Sequence, residues 1–345
     1  MRPHPGEPLT VEHFRIGFAL TLLAGLLSGT CMLPMKYARR WPWECVWLVF
    51  SIVSLIILPW ALALKNVVDL LAVYRSLPLR TFEPSLAFGA GWGIAQVLFG
   101  LCIARLGMAL GYAVIVGLGA LFGTLVPLLV QHRDVAASYR GLIVFCGVAV
   151  MIVGVALAAW AGRMREKTGT AARQSRESGY STALGLAVLC GILAPMLNYA
   201  FAFGDGIARQ AVRMGNSPES AGYAVWPIAL LGGFVPNVSY AAVRLSRNGT
   251  WKFFRGGWGT DAWCGIAMGI LWMGAFAVYG VGSVYLGDLG TSVGWALFQI
   301  FMIMTANGSG LLTSEWRGAP PSAKYGMAAS LLLLASATFL LASRS

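Results

Sequence analysis

Within the apolar stretches of this 345-residue chain, the groups able to do chemistry are amides and aromatic rings. Gln96, Asn198, Asn237, Gln299 and Asn307 supply the amides, and Trp92, Tyr112, Trp226, Trp272, Tyr279 and Trp295 supply rings. An amide both donates and accepts, which matches a hydroxyl group. An aromatic face can pack on the apolar face of a sugar ring. The combination suits a neutral, polyhydroxylated solute better than a charged one. It makes Trp92, Gln96, Tyr112, Asn198, Trp272, Gln299 and Asn307 the candidate solute-binding residues. Each also has a plainer role open to it. An amide can join two membrane helices by a hydrogen bond, and a tryptophan can anchor a helix at the membrane interface.

Ionisable groups are scarce in the same stretches. His4, His13 and His132 stand at or beyond the ends of apolar spans, and no span centre carries Asp or Glu. A metal site needs a cluster of His, Cys or carboxylate, and acid–base catalysis needs a positioned titratable pair. Neither pattern is visible, so no catalytic residue, metal or cofactor is expected, and an enzyme is disfavoured. Gly117, Gly119 and Gly123 do not complete a GxGxxG motif, because position 122 is Phe. The six cysteines (31, 45, 102, 146, 190 and 264) form no CxxC pair and read as small apolar residues. One pair of charges stands apart. Lys36 closes the first apolar stretch and Glu44 opens the second, across YARRWPW. They could form an interfacial ion pair or helix cap, or a gate in which a proton competes with the cation.

The elements that must hold these residues are membrane helices. Hydrophobic residues make up 58% of the chain and charged residues 11%, against about 25% charged in soluble domains. Mean hydropathy is +0.71. A net charge of +12 could suggest nucleic acid, but the basic residues sit in short connections beside apolar spans, as the positive-inside bias produces. The amino-terminal segment MRPHPGEPLTVEHFR lacks the pattern of a cleaved signal peptide. Spans long enough to cross a bilayer are expected at 16–35, 45–64, 85–104, 107–129, 141–161, 182–203, 222–243, 262–286, 290–312 and 325–342.

The stretch Gly91 to Leu129 is a membrane hairpin hinged at Arg105-Leu106-Gly107, and Arg105 is its one charge. Gly107/Gly111 and Gly119/Gly123 put small residues on common helix faces, which lets membrane helices approach closely. The hairpin recurs at Trp272 to Leu312. One constant shift aligns Trp92 with Trp272, Gly100 with Gly280, and Leu106-Gly107 with Leu286-Gly287. A second anchor pairs Pro34-Met35 with Pro195-Met196. The expected fold is therefore an all-α membrane protein of ten transmembrane helices in two five-helix repeats. The halves are 1–162 and 182–345, joined by a basic loop at 163–181. An odd number of spans per repeat inverts the second copy, a common transporter design with the solute site between the repeats. Most of the Lys and Arg lie in the odd-numbered connections, which favours cytoplasmic odd connections and external termini.

The block LPMKYARRWPWECVWLVFSIVSLIILPWALA (33–63) resembles the start of the L-rhamnose–proton symporter family, within the drug/metabolite transporter superfamily. Pro34, Lys36, Trp41, Trp43, Glu44 and Ile57-Leu58-Pro59-Trp60 fill the places of the family pattern. Gly91-Trp92-Gly93-Ile94, Leu106-Gly107-Met108 and Gly123-Thr124 look like its third and fourth helices. Cys190-Gly191-Ile192 and Glu315-Trp316 match near its sixth and ninth. The resemblance runs over nearly the whole chain. It implies ten helices, a multi-pass protein of the bacterial inner membrane, and uptake of L-rhamnose or a related sugar by proton symport. The partners it implies are the sugar, a proton and the lipid bilayer, with no nucleic acid. Glu44 is the first candidate for proton coupling or gating, with Lys36 beside it and Glu315 second. The alternatives are an exporter or carrier of another small metabolite, or a non-transporting sensor or assembly subunit.

Overall fold

The computed structural model describes residues 11–106, 108–167, 180–257, 259–312, 316 and 318–342. Among these residues the ordered structure is all helical. Among the described residues, nine helical segments are long and apolar enough to cross a membrane. The expected span at 290–312 is present as a helix, Val293–Leu312.

The first helix, α1, covers Val11–Thr30. The second span is composite: α2 at Trp43–Ile52, a widened π turn over Val53–Ile57, and α3 at Leu58–Asn66. Pro59 lies just beyond the π turn and has no N–H for the carbonyl four residues earlier. Next come α4 at Glu83–Leu106, α5 at Met108–Gln131 and α6 at Tyr139–Lys167. Gly107, the expected hinge between α4 and α5, lies outside the described residues, as does most of the 163–181 loop. The sixth span breaks at Ala194-Pro195 into α7, Tyr180–Leu193, and α8, Met196–Ala202. A short α9, Asp205–Arg213, follows. The remaining long helices are α10 at Trp226–Asn248, α11 at Thr260–Tyr285, α12 at Val293–Leu312 and α13 at Pro321–Ala342.

In lipid there is little hydrophobic drive between helices, so close backbone approach carries the packing. The tightest approach joins α4 and α10. A Cβ on Gly89 would collide with the Ala229 carbonyl oxygen, and one on Gly232 with the Leu86 carbonyl oxygen. Gly265 and Gly269 bring α11 onto Val46, Val49 and Val53 of the second span in the same way. Of the glycine face expected on α5, Gly123 is in close contact, with the Trp295 indole against it. Gly119 is not: a Cβ there would meet the Ala194 Cβ at an ordinary 3.5 Å. The other extensive contacts are α1 with α11 and α12, α6 with α13, and α7 with α4 and α5.

Candidate functional site

The largest aromatic cluster sits between the two halves of the chain. Trp92 of α4 and Trp272 of α11 are both buried and stack on each other, with ring centroids 5.2 Å apart and planes 27° apart. These are the two tryptophans that the sequence repeat aligns. Trp272 also contacts Phe276 at 4.5 Å and Phe50 at 6.1 Å. Phe276 continues the column to Phe298 and Trp226, and Tyr279 meets Trp295 and Phe298. Offset stacks and edge contacts of this kind are the favoured aromatic geometries.

The amides divide into two groups. Asn198, in α8, is fully engaged. Its Nδ2 donates to the carbonyls of Gly123 at 3.1 Å and Thr291 at 2.8 Å, and its Oδ1 accepts from the Tyr279 hydroxyl at 2.7 Å. Gly123 lies four residues before Pro127, the proline inside α5. Pro127 has no N–H to offer that carbonyl, and the Asn198 amide supplies a donor in its place. Two more side chains serve the same face of α5. Tyr199 Oη donates to the Phe122 carbonyl at 2.7 Å, and Trp295 Nε1 donates to the Gly119 carbonyl at 3.2 Å. Asn307 and Asn237 donate to carbonyls of their own helices, at Ile303 and Gly233.

Gln96 and Gln299 make no side-chain hydrogen bond within the described residues. Gln96 stands one helical turn beyond Trp92 on α4, and Gln299 one turn beyond Trp295 on α12, so each amide shares a face with its indole. Gln299 is 7% exposed. Their donors and acceptors are available to a hydroxylated ligand. The Tyr112 side chain lies outside the described set. A groove of about 350 Å³ lies elsewhere, lined by Leu33, Pro34, Tyr37, Trp263, Cys264 and Leu271 among others. It has apolar walls and none of these amides.

The two ends of the bundle are closed differently. At one end Glu44 is buried at the start of α2. Its Oε1 accepts from Asn248 Nδ2 at 2.8 Å and Thr250 Oγ1 at 3.2 Å. Gly249, at φ +64°, ends α10 in the left-handed conformation and turns Thr250 back toward Glu44. The neighbouring cation is Arg244, whose guanidinium lies over the Trp43 ring at 6.0 Å. Lys36 is exposed in the turn Leu33–Tyr37. Asp261, near the start of α11, is also buried. It accepts the backbone N–H groups of Arg39 at 3.0 Å, Arg40 at 2.8 Å and Trp41 at 2.8 Å.

At the other end, Asn216 Oδ1 accepts the Val68 N–H at 2.7 Å, and its Nδ2 donates back to the Val68 carbonyl at 3.2 Å. Tyr74 Oη donates to the Ala224 carbonyl at 2.7 Å. Burial pushes the Tyr74 phenol up from its ordinary value, so it remains a neutral donor. Sequence reasoning looked for carboxylates at span centres and passed over Asp261, Asn216, Asn248 and Thr250. The local signal for Asp261 was Thr-Asp ahead of an apolar run, a helix-start pattern. Glu315 lies outside the described residues. Among the described residues no group of three or more His, Cys, Asp or Glu could hold a metal.

The family model described as L-rhamnose-proton symport protein (RhaT) matches residues 13–343. The chain is 28% identical over 324 residues to the L-rhamnose-proton symporter of Mannheimia succiniciproducens, covering 90% of this chain and 93% of that protein. It is 28% identical over 304 residues to the L-rhamnose-proton symporters of Yersinia pestis (strain Pestoides F) and Yersinia pseudotuberculosis (strain IP 31758). Those matches cover 86% of this chain and 88% of each relative. A family match that begins in α1 and runs to the end of α13 takes in both tryptophans of the central stack, and on it the chain belongs to the L-rhamnose-proton symport protein family.

Proposed function

We propose that this chain is a secondary transporter of the bacterial inner membrane that imports L-rhamnose or a related sugar together with a proton, by alternating access. It is a carrier and not an enzyme. The observation that carries the reading is the Trp92–Trp272 stack, with unbonded Gln96 one turn beyond Trp92 on α4 and unbonded Gln299 one turn beyond Trp295 of the same aromatic cluster on α12. Stacked indoles offer faces for the apolar side of a 6-deoxysugar once they part. The two amides offer donors and acceptors for its hydroxyls. Tyr112 and Asn307 complete the proposed solute contacts, and Asn198 organises the wall around Pro127.

The two-repeat reading has support in the packing. Let α1 correspond to α7 and α8, the second span to α10, α4 to α11, α5 to α12, and α6 to α13. Exchange then turns α1–α11 into α7–α4, α4–α10 into α11–α2, and α5–α6 into α12–α13, all of which are contacting pairs. The pairs α6–α13 and α5–α12 map onto themselves. A set of contacts closed under this exchange favours ten spans in two inverted halves, 1–162 and 182–345. Each half would then rock against the other about the central stack.

Labelled L-rhamnose uptake into proteoliposomes, with and without an imposed pH gradient, tests the reading. Accumulation that needs the gradient is expected. No uptake of any 6-deoxysugar ends the proposal, and uptake indifferent to the gradient removes the proton from it.

A further inference from the structure

Each half of the chain places one buried carboxylate under a connection of the other half. Asp261 belongs to the second half and gathers three consecutive backbone N–H groups of the Arg39–Trp41 connection. Glu44 belongs to the first half and holds Asn248, the last residue of α10, and Thr250 of the connection that follows it. Both sit at helix N-termini, where a negative charge is favoured. The two ties lie at the same end of the bundle and cross the same seam. The repeat exchange carries these connections onto those of the opposite end, following α3 and α8. There the bonds across the seam, among the described residues, are made by neutral groups: Asn216 to Val68, Tyr74 to Ala224, and Gln210 to Ser76 at 2.9 Å.

Resting on the transporter reading above, we propose that Asp261 and Glu44 form an ionic latch that closes one end of the solute pathway, while the other end closes, among the described residues, on neutral ties. The reason is hydrogen-bond chemistry. All three partners of Asp261 are donors, so both of its oxygens must accept. An ionised carboxylate does this, whereas a protonated one adds a donor where there is no acceptor for it. A proton on Asp261 and closure of that end therefore exclude one another. The cations whose charge acts on the latch are Arg40, on Asp261, and Arg244 of α10, on Glu44; Lys36 and Arg39 stand in the first connection, and Lys252 and Arg255 in the turn Thr250–Gly256. The thiols of Cys45 and Cys264 lie beside the two carboxylates.

Cys45 is buried beside Glu44, with its Sγ 3.7 Å from the Thr250 carbonyl, and reports on this end. The test keeps Cys45 as the single thiol of the full chain in proteoliposomes and follows maleimide labelling at pH 7. Asp261→Asn, which replaces an acceptor oxygen by a donor, is expected to speed labelling about tenfold or more, since losing charge-assisted bonds shifts an equilibrium by at least that factor. Asn216→Ala, at the opposite end, should not speed it. Unchanged labelling in Asp261→Asn overturns the latch. If the variant does not fold, hydrogen exchange on the parent protein decides. The stabilisation from Asp261 is present above the free carboxylate value and lost as the pH falls through the lowered one, so after correction for intrinsic rates protection at Arg39–Trp41 should fall between about pH 5 and pH 3 while that at Val68 holds. Equal behaviour at the two sites overturns the proposal. A parent protein that moves no sugar would sink the sugar reading, and the thiol and exchange measurements would still judge the latch.

Discussion

At the scale of single residues, the deciding property of each amide is what it is already bonded to. Gln96 and Gln299 have unspent hydrogen-bonding capacity, and Asn198 has almost none. Gln96→Ala or Gln299→Ala should therefore raise the apparent KM for L-rhamnose by about fivefold, the equivalent of one hydrogen bond of about 1 kcal/mol. Folded yield should be unchanged. A normal KM in both variants would remove the pair from the site. Asn198→Ala should act on the fold, because it strands the Gly123 and Thr291 carbonyls and the Tyr279 hydroxyl in a buried setting. Each stranded group costs about 1–3 kcal/mol, so a clear drop in apparent melting temperature is expected. In the sequence the five amides look alike. They separate only when the proline of a neighbouring helix is seen to leave a carbonyl that one of them must serve.

At the scale of elements, α5 and its proline make a testable pair with Asn198. Pro127→Ala restores an N–H to the Gly123 carbonyl, so it should offset part of the Asn198→Ala loss. A double-mutant cycle on thermal stability should return a coupling of about 0.5–3 kcal/mol, and strict additivity would sink this account of Asn198. The contact between α4 and α10 makes a second test. Gly89→Ala drives a Cβ into a backbone carbonyl, which cannot rotate away, and overpacking of this kind costs about 1–3 kcal/mol. Gly119→Ala has ordinary room beside Ala194 and should be tolerated or mildly stabilising. Spacing put Gly119 on an interface as readily as Gly123. The side chain opposite decides which of them is needed, and that neighbour comes from another helix.

At the scale of the whole molecule, the stack of Trp92 on Trp272 lies where the halves meet, and a sugar can enter between the rings only if they part. Saturating L-rhamnose should therefore change the intrinsic tryptophan fluorescence, and the change should be lost in Trp92→Phe/Trp272→Phe. A change that survives in the double variant would place the sugar elsewhere. The orientation is tested separately: a reporter on the carboxyl terminus should respond as external, and a cytoplasmic response would reverse the assignment.

Composition and hydropathy by themselves determined that the chain is an integral membrane protein, because no soluble core accommodates that much apolar surface with so few charges. Trp92 and Trp272, which a single shift aligns in the sequence, prove to stack on one another in the structure. The motif block at 33–63 was enough to indicate the family. Tertiary structure alone decided the rest. Asp261 reads in sequence as an ordinary helix-start residue, and Arg39–Trp41 read as a basic connection. Their three bonds join positions more than two hundred residues apart, and local spacing carries no information about such a pair. The same limit hid the difference between the ends of the bundle. Whether an end closes on carboxylates or on neutral amides depends on which distant backbone groups each side chain meets, and packing is what brings them together.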